Sequence, residues 1–310
     1  MSGVGQNFDN DEPSTIRFRV AGSIELVGDA WGDPENSPVL LLHGGGQTRH
    51  AWAGTAAILA RGGWYAIVLD QRGHGESDWD PDGNYERERY ADDVIEVAAE
   101  LSQPPVLVGA SLGGMASLMA IHRAHRAHPP KGEIARALIL VDIATRMESE
   151  GLERIFAFMQ GAPDGFANLE EAADAVAAYN PHRPRPTDLG GLKKNLREGA
   201  DGRWRWHWDP AFVNRARGQR MLAEGVQADE AQTFLDGEAL MDAARSLSLP
   251  VLLVRGKASD VVSADGADDF LAAVPQARYA DVAGAGHMVA GDRNDAFNDA
   301  VLEFLRHAFA

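Results

Sequence analysis

Five short, continuously apolar runs, at 38–43, 64–70, 104–110, 135–142 and 249–256, constrain the fold more than any other feature of the sequence. Each has the length of a strand and is rich in Val, Leu and Ile, without the polar alternation of a half-exposed strand. Such strands are buried on both faces, as in a parallel sheet covered by helices. Between and after them lie helical patterns at 51–60, 87–101, 112–125, 264–273 and 296–309. Strand and helix alternate, so the fold class is α/β, a mostly parallel twisted sheet with helices on both faces and right-handed crossovers. Ahead of the first run, residues 15–20 and 23–27 alternate around Ala21-Gly22 like a hairpin, and residues 1–14 read as a flexible tail.

One interval breaks the rhythm. Residues 145–247 contain no buried-strand run but a set of amphipathic pieces: Leu152, Ile155, Phe156 and Met159 on one face, then 172–179, 189–196 and 212–222. This reads as a helical cap inserted after the sixth strand, between core segments 15–144 and 248–310. Its middle is loop-like, and Trp204, Trp206 and Trp208 alternate there as a strand would, with Arg205 and His207 on the opposite side. Packing within the cap is the preferred reading of the three tryptophans, and a substrate wall is the alternative.

Composition excludes several functions. Of 310 residues, 45% are hydrophobic and 24% charged, as in ordinary globular proteins, and the net charge of −17 would repel a phosphate backbone. Nucleic acid is therefore not an expected partner. The absence of cysteine removes thiolate nucleophiles, disulfides and cysteine-held metals together. The first residues are polar and acidic, unlike a signal peptide, and the apolar runs are far too short for a bilayer, so the expectation is a cytoplasmic protein with no membrane partner. His122, His125 and His128 recur every three residues, but interleaved arginines and no carboxylate make them a solvated helix end rather than a metal site. The glycines at 44–46 fail both nucleotide fingerprints, since Arg49 stands where G-x-G-x-x-G needs glycine and no Gly-Lys-Ser/Thr follows.

The chemistry is carried by Val108-Gly109-Ala110-Ser111-Leu112-Gly113-Gly114, a G-x-S-x-G set that follows one strand and opens one helix. A serine between small residues can occupy a sharp turn that holds its hydroxyl out at the strand's C-terminal end. To act as a nucleophile it needs a base, and the base needs an acid to fix its tautomer. Both lie downstream: Asp260 in the loop after the run 249–256, and His287 within Val282-Ala283-Gly284-Ala285-Gly286-His287-Met288. Asp142, at the end of the run 135–142, is the rival acid, and Asp260 is preferred. Asp265 falls where the next helix begins and reads as first-turn decoration.

With Ser, Asp and His in that order, the chain from about residue 15 to 310 resembles a capped α/β-hydrolase of the esterase, lactonase or cofactor-free haloperoxidase-like branch. The resemblance implies an oxyanion hole from the amides of Leu112 and, within His43-Gly44-Gly45-Gly46-Gln47, of Gly45. It implies no catalytic role for His74 in the loop 70–77. It also implies a serine hydrolase that cleaves a carboxylic ester or lactone of a small hydrophobic molecule through an acyl-enzyme, with no metal or organic cofactor. Phe156, Met159, Trp204, Trp206 and Met288 are the candidate substrate-binding residues. Epoxide hydrolases and haloalkane dehalogenases of this fold carry an aspartate at the elbow, so Ser111 excludes both. C–C bond hydrolysis, perhydrolysis and a triad-retaining ligand receptor stay open as alternatives, as does a homodimer.

Overall fold

The computed structural model describes residues 12–128, 132–181, 185, 189–216, 237–287, 289 and 294–309. The hairpin expected near the start is β1 (Ser14–Val20) and β2 (Ile24–Trp31), paired antiparallel from Ser14↔Ala30 to Val20↔Ile24. The five apolar runs become β3 (Pro38–Leu42), β4 (Tyr65–Leu69), β5 (Val106–Ala110), β6 (Ala137–Val141) and β9 (Val251–Gly256). With the hairpin and β10 (Arg278–Val282) they form one eight-stranded sheet in the order β1-β2-β4-β3-β5-β6-β9-β10. From β4 to β10 every pairing is parallel, and β2 is antiparallel to both of its neighbours.

The unbroken apolar runs follow from burial on both faces. On β3, Leu40 and Leu42 enter one core while Val39 and Leu41 enter the other; on β6, Leu138 and Leu140 separate in the same way from Ala137, Ile139 and Val141. The first core is closed by α2 (Arg87–Glu100), α3 (Leu112–Arg126) and α8 (Ala264–Ala273), through residues such as Tyr90, Met115 and Phe270. The second is closed by α1 (Ala53–Arg61) and α9 (Asn294–Ala308), through Leu59, Phe297 and Phe304. Burying each such side chain stabilises the fold by roughly 1.5–3 kcal/mol.

Between β6 and β9 lies the insertion: α4 (Ser149–Met159), α5 (Leu169–Tyr179), the hairpin β7 (Leu196–Glu198) with β8 (Trp204–Trp206), α6 (Pro210–Ala216) and α7 (Gly237–Arg245). The piece 189–196, read from sequence as amphipathic, is instead a short 3-10 turn, Leu192–Asn195, that runs into β7. Gly190 and Gly191 suit a turn, and Leu196 pairs across the hairpin with Trp206. Of the expected helix at 212–222, residues from 217 on lie outside the described set. Phe166, Ala172 and Leu196 make a small apolar cluster of the insertion's own, whereas Leu240, Ala243 and Ala244 of α7 belong to the first core. The exit of the hairpin is fastened below by the bridge between His74 and Trp208, by Gly75 N–H to His207 O (2.7 Å) and by Tyr85 Oη–H to Asp209 Oδ2 (2.5 Å). Among the described residues no helix is long and apolar enough to cross a membrane.

Candidate active site

Ser111 stands between the end of β5 and the start of α3 with φ +46° and ψ −111°, a left-handed backbone that a residue with a Cβ adopts only when its surroundings enforce it. Enforcement comes from both sides: Ser111 N–H donates to Val141 O (3.2 Å), and Gly113 N–H donates to His43 O (3.2 Å). Gly109 makes the turn sterically feasible, because a Cβ there would collide with the backbone of Gly113 and Gly114. The serine is half-buried, at the positive end of α3.

The loop 43–47 lies alongside, so near that a Cβ on Gly44 would sit 3.5 Å from Ser111 Cβ. Two buried histidines hold it. Gln71 N–H donates to His43 Nε2 (3.1 Å) and Gly46 N–H donates to His74 Nε2 (3.1 Å), so both rings carry their proton on Nδ1 and give it to carbonyls, those of Gly44 (2.8 Å) and Arg72 (3.0 Å). Burial is the main reason that His43 is lowered to about 4 and His74 to about 3, so both rings are neutral at ordinary pH. Gly44 N–H is taken by Gln47 Oε1 (3.0 Å). Of the three glycine amides in this loop, those of Gly44 and Gly46 are thus occupied. Among the described residues, the amides of Gly45 and Leu112, the two singled out from sequence, make no hydrogen bond.

His287 follows β10 in a loop that closes on Gly256 at the end of β9, where a Cβ would strike the carbonyls of Ala285 and Gly286. Its Nδ1 lies 2.7 Å from Asp142 Oδ2. The expectation that Asp260 would meet this histidine is corrected here. Asp142, one strand over from Ser111 and wholly buried, turns its carboxylate toward β9 through a left-handed backbone of φ +50°. Three donors compensate the buried charge: Gly256 N–H on Oδ1 (2.9 Å), and Ser259 Oγ–H (2.5 Å) with His287 Nδ1–H on Oδ2. Asp260 is drawn the other way, to Arg154 on α4 (2.6 Å), while its carbonyl abuts Gly151 of the same helix. No hydrogen bond joins Ser111 Oγ to His287 among the described residues, a separation common in unliganded sites.

Above the glycine loop lie Met159, Trp208 and Phe212. A Cβ on Gly46 would meet Met159 Cε at 3.0 Å and Trp208 at 3.4 Å, and one on Gly45 would meet the Phe212 ring at 3.4 Å. Met159 was legible from sequence as part of an apolar face and Trp208 as one of the three alternating tryptophans, whereas Phe212 enters only through the fold of the insertion. Trp206 stacks on Trp208 (5.0 Å between rings, 9° between planes) and packs against Phe158 and Phe166, one layer back from the loop. Trp204 lies farther out, bridged to Phe166 and beneath Lys193 Nζ. Phe156 is half-buried on α4, outside the apolar clusters of the described residues, and Met288 lies outside the described residues.

Comparison with known proteins agrees with this architecture. Esterase Rv0045c of Mycobacterium tuberculosis is 31% identical over 251 residues, covering 78% of this chain and 72% of the esterase. The 3-hydroxybutyrate-oligomer hydrolase of Cupriavidus necator is 28% identical over 278 residues, covering 86% of this chain and 88% of that protein. The crystal structure of an E-2-(acetamidomethylene)succinate hydrolase superposes with a TM-score of 0.78 at 24% identity, over 95% of this chain and all (100%) of that one, a likeness of fold. The model of the alpha/beta hydrolase family matches residues 39–300, and the chain belongs to that family.

Proposed function

We propose that this protein is a serine hydrolase that cleaves a carboxylic ester or lactone of a small hydrophobic molecule, with Ser111 as nucleophile, His287 as base and Asp142 as acid. Carboxylic ester hydrolysis is the activity its family and its esterase and hydrolase relatives point to. The observation that carries the assignment of residues is the His287 Nδ1 to Asp142 Oδ2 hydrogen bond at the C-terminal ends of the central strands, where Ser111 is held on its strained turn. Asp142 accepts from Nδ1–H, so Nε2 is left with its lone pair and can take the proton of Ser111 Oγ. The oxygen then bonds to the substrate carbonyl carbon, and the carbonyl electron pair moves onto its oxygen. The free amides of Gly45 and Leu112 would receive that oxyanion, each contributing roughly 3 kcal/mol of transition-state stabilisation. As the carbonyl re-forms, the alcohol leaves with the proton from His287. Water, deprotonated by the same Nε2, attacks the acyl-enzyme; the acid departs and Ser111 regains its proton.

The apolar walls of Met159, Trp208 and Phe212 support a hydrophobic substrate beside the oxyanion position. Release of p-nitrophenol from short-chain esters by the wild type beside Ser111→Ala tests the reading. Turnover should fall by roughly 10⁶-fold in the variant, and a fluorophosphonate should label the wild type alone. A wild type that neither turns over nor labels would refute it.

A further inference from the structure

Asp142 does not hold His287 alone. The turn after β9 brings Ser259 against the carboxylate, and the hydrogen bonds of Ser259 leave its hydroxyl proton one destination. Val261 N–H and Val262 N–H both donate to Ser259 Oγ (3.1 Å each), which occupies its two lone pairs. The hydroxyl proton is therefore given to Asp142 Oδ2, at 2.5 Å. That oxygen is the one that accepts from His287 Nδ1 at 2.7 Å, while Oδ1 is anchored by Gly256 N–H at 2.9 Å. Of the charged groups around this turn, Asp260 pairs with Arg154, Arg255 with Asp281 and the Val262 carbonyl, and Arg146 with Asp269 of α8, while Lys257 is exposed.

We propose that Ser259 is a positioning residue of the hydrolase: its hydroxyl, aimed by the Val261 and Val262 amides, shares Asp142 Oδ2 with His287 and so fixes the direction and strength of the carboxylate's hold on the imidazole. The inference rests on the serine-hydrolase reading for its consequence in catalysis. A carboxylate oxygen shared between two donors offers less charge to each. Ser259 thus tempers the stabilisation of the imidazolium and, together with Gly256 N–H on Oδ1, fixes the rotation of Asp142 about its Cβ–Cγ bond.

The test uses Ser259→Ala and Ser259→Thr in the whole protein, with two readouts. The first is the low-field proton resonance of the His287 Nδ1–H followed through a pH titration, which needs no substrate. The second is the pH profile of kcat and kcat/KM on a p-nitrophenyl ester. In Ser259→Ala the resonance should move further downfield and the acid limb of kcat/KM should rise by roughly half a pH unit or more. Its kcat should fall on the order of tenfold with KM little changed. Ser259→Thr, which keeps the hydroxyl, should restore all of these. An alanine variant with an unmoved resonance and an unmoved acid limb would overturn the proposal, even if its melting temperature fell, because the serine would then only hold the turn. A threonine variant as altered as the alanine variant would overturn it too. A wild type that turns over no ester would sink the hydrolase reading instead, and the resonance would still decide whether Ser259 governs the His287–Asp142 bond.

Discussion

Two carboxylates stand at neighbouring strand ends with opposite fates. Asp142 leaves β6 and is wholly buried, with three hydrogen-bond donors and no arginine among the described residues. Asp260 lies four residues beyond β9 with a side chain 32% exposed, paired to the 56% exposed Arg154 of the insertion. The first is held by rigid backbone and reaches His287, whereas the second ties α4 to the sheet. Their chemistry is the same, so the difference lies in what surrounds them. A buried anion must be compensated by fixed donors, and fixed donors are what can orient a histidine. A half-exposed ion pair in water contributes only about 0–1 kcal/mol, a contact suited to a surface that packs rather than reacts.

The largest expected effect follows from removing the buried partner. Asp142→Asn keeps the shape but can leave His287 in the wrong tautomer, and kcat should fall about 10⁴-fold with KM nearly unchanged. Steady-state kinetics at saturating ester measures this. Next, Gly256→Ala places a Cβ against the carbonyls of Ala285 and Gly286 and should push the His287 loop off Asp142. A loss on the order of 10²-fold in kcat is expected from such misplacement.

Acid attacks the floor of the site in a third way. His43 and His74 are lowered to about 4 and about 3, so between these values and the ordinary 6.5 the unfolded chain binds protons that the folded one does not. Stability is therefore full above pH ~6.5 and falls as pH drops toward ~4, by up to ~1.4 kcal/mol per pH unit for each histidine. Melting temperatures taken across this range should show the slope, and His74→Gln should flatten it. The smallest effect belongs to the exposed pair. Asp260→Asn should change stability by less than about 1 kcal/mol and leave kcat within roughly twofold, as urea melts and turnover will show.

The sheet was legible because burial on both faces leaves an unbroken apolar run, and 38–43 or 135–142 admit no other strand reading. Ser111 was legible because its turn needs glycine at fixed offsets. The choice between Asp142 and Asp260 was not. Each follows a strand, and the outcome depends on a backbone angle of +50° at Asp142 and on an arginine far away in the chain, neither of which leaves a local pattern. Phe212 was hidden for a similar reason, since the β7–β8 hairpin and its fastening to the loop 73–75 bring it over Gly45 and set Trp208, one of the three alternating tryptophans, over Gly46. The piece 189–196 carries an amphipathic period that runs across the glycine pair at 190–191, and those glycines favour a turn over a helix.

The central claim is that Asp142, and not Asp260, empowers His287 to activate Ser111. It is tested most directly by the rate at which a fluorophosphonate labels Ser111 in the wild type, Asp142→Asn and Asp260→Asn, since this needs no knowledge of the natural ester. Labelling of Asp260→Asn should match the wild type within about threefold and that of Asp142→Asn should be roughly 10³–10⁴-fold slower. The reverse order, with Asp260→Asn slow and Asp142→Asn fast, would contradict the account.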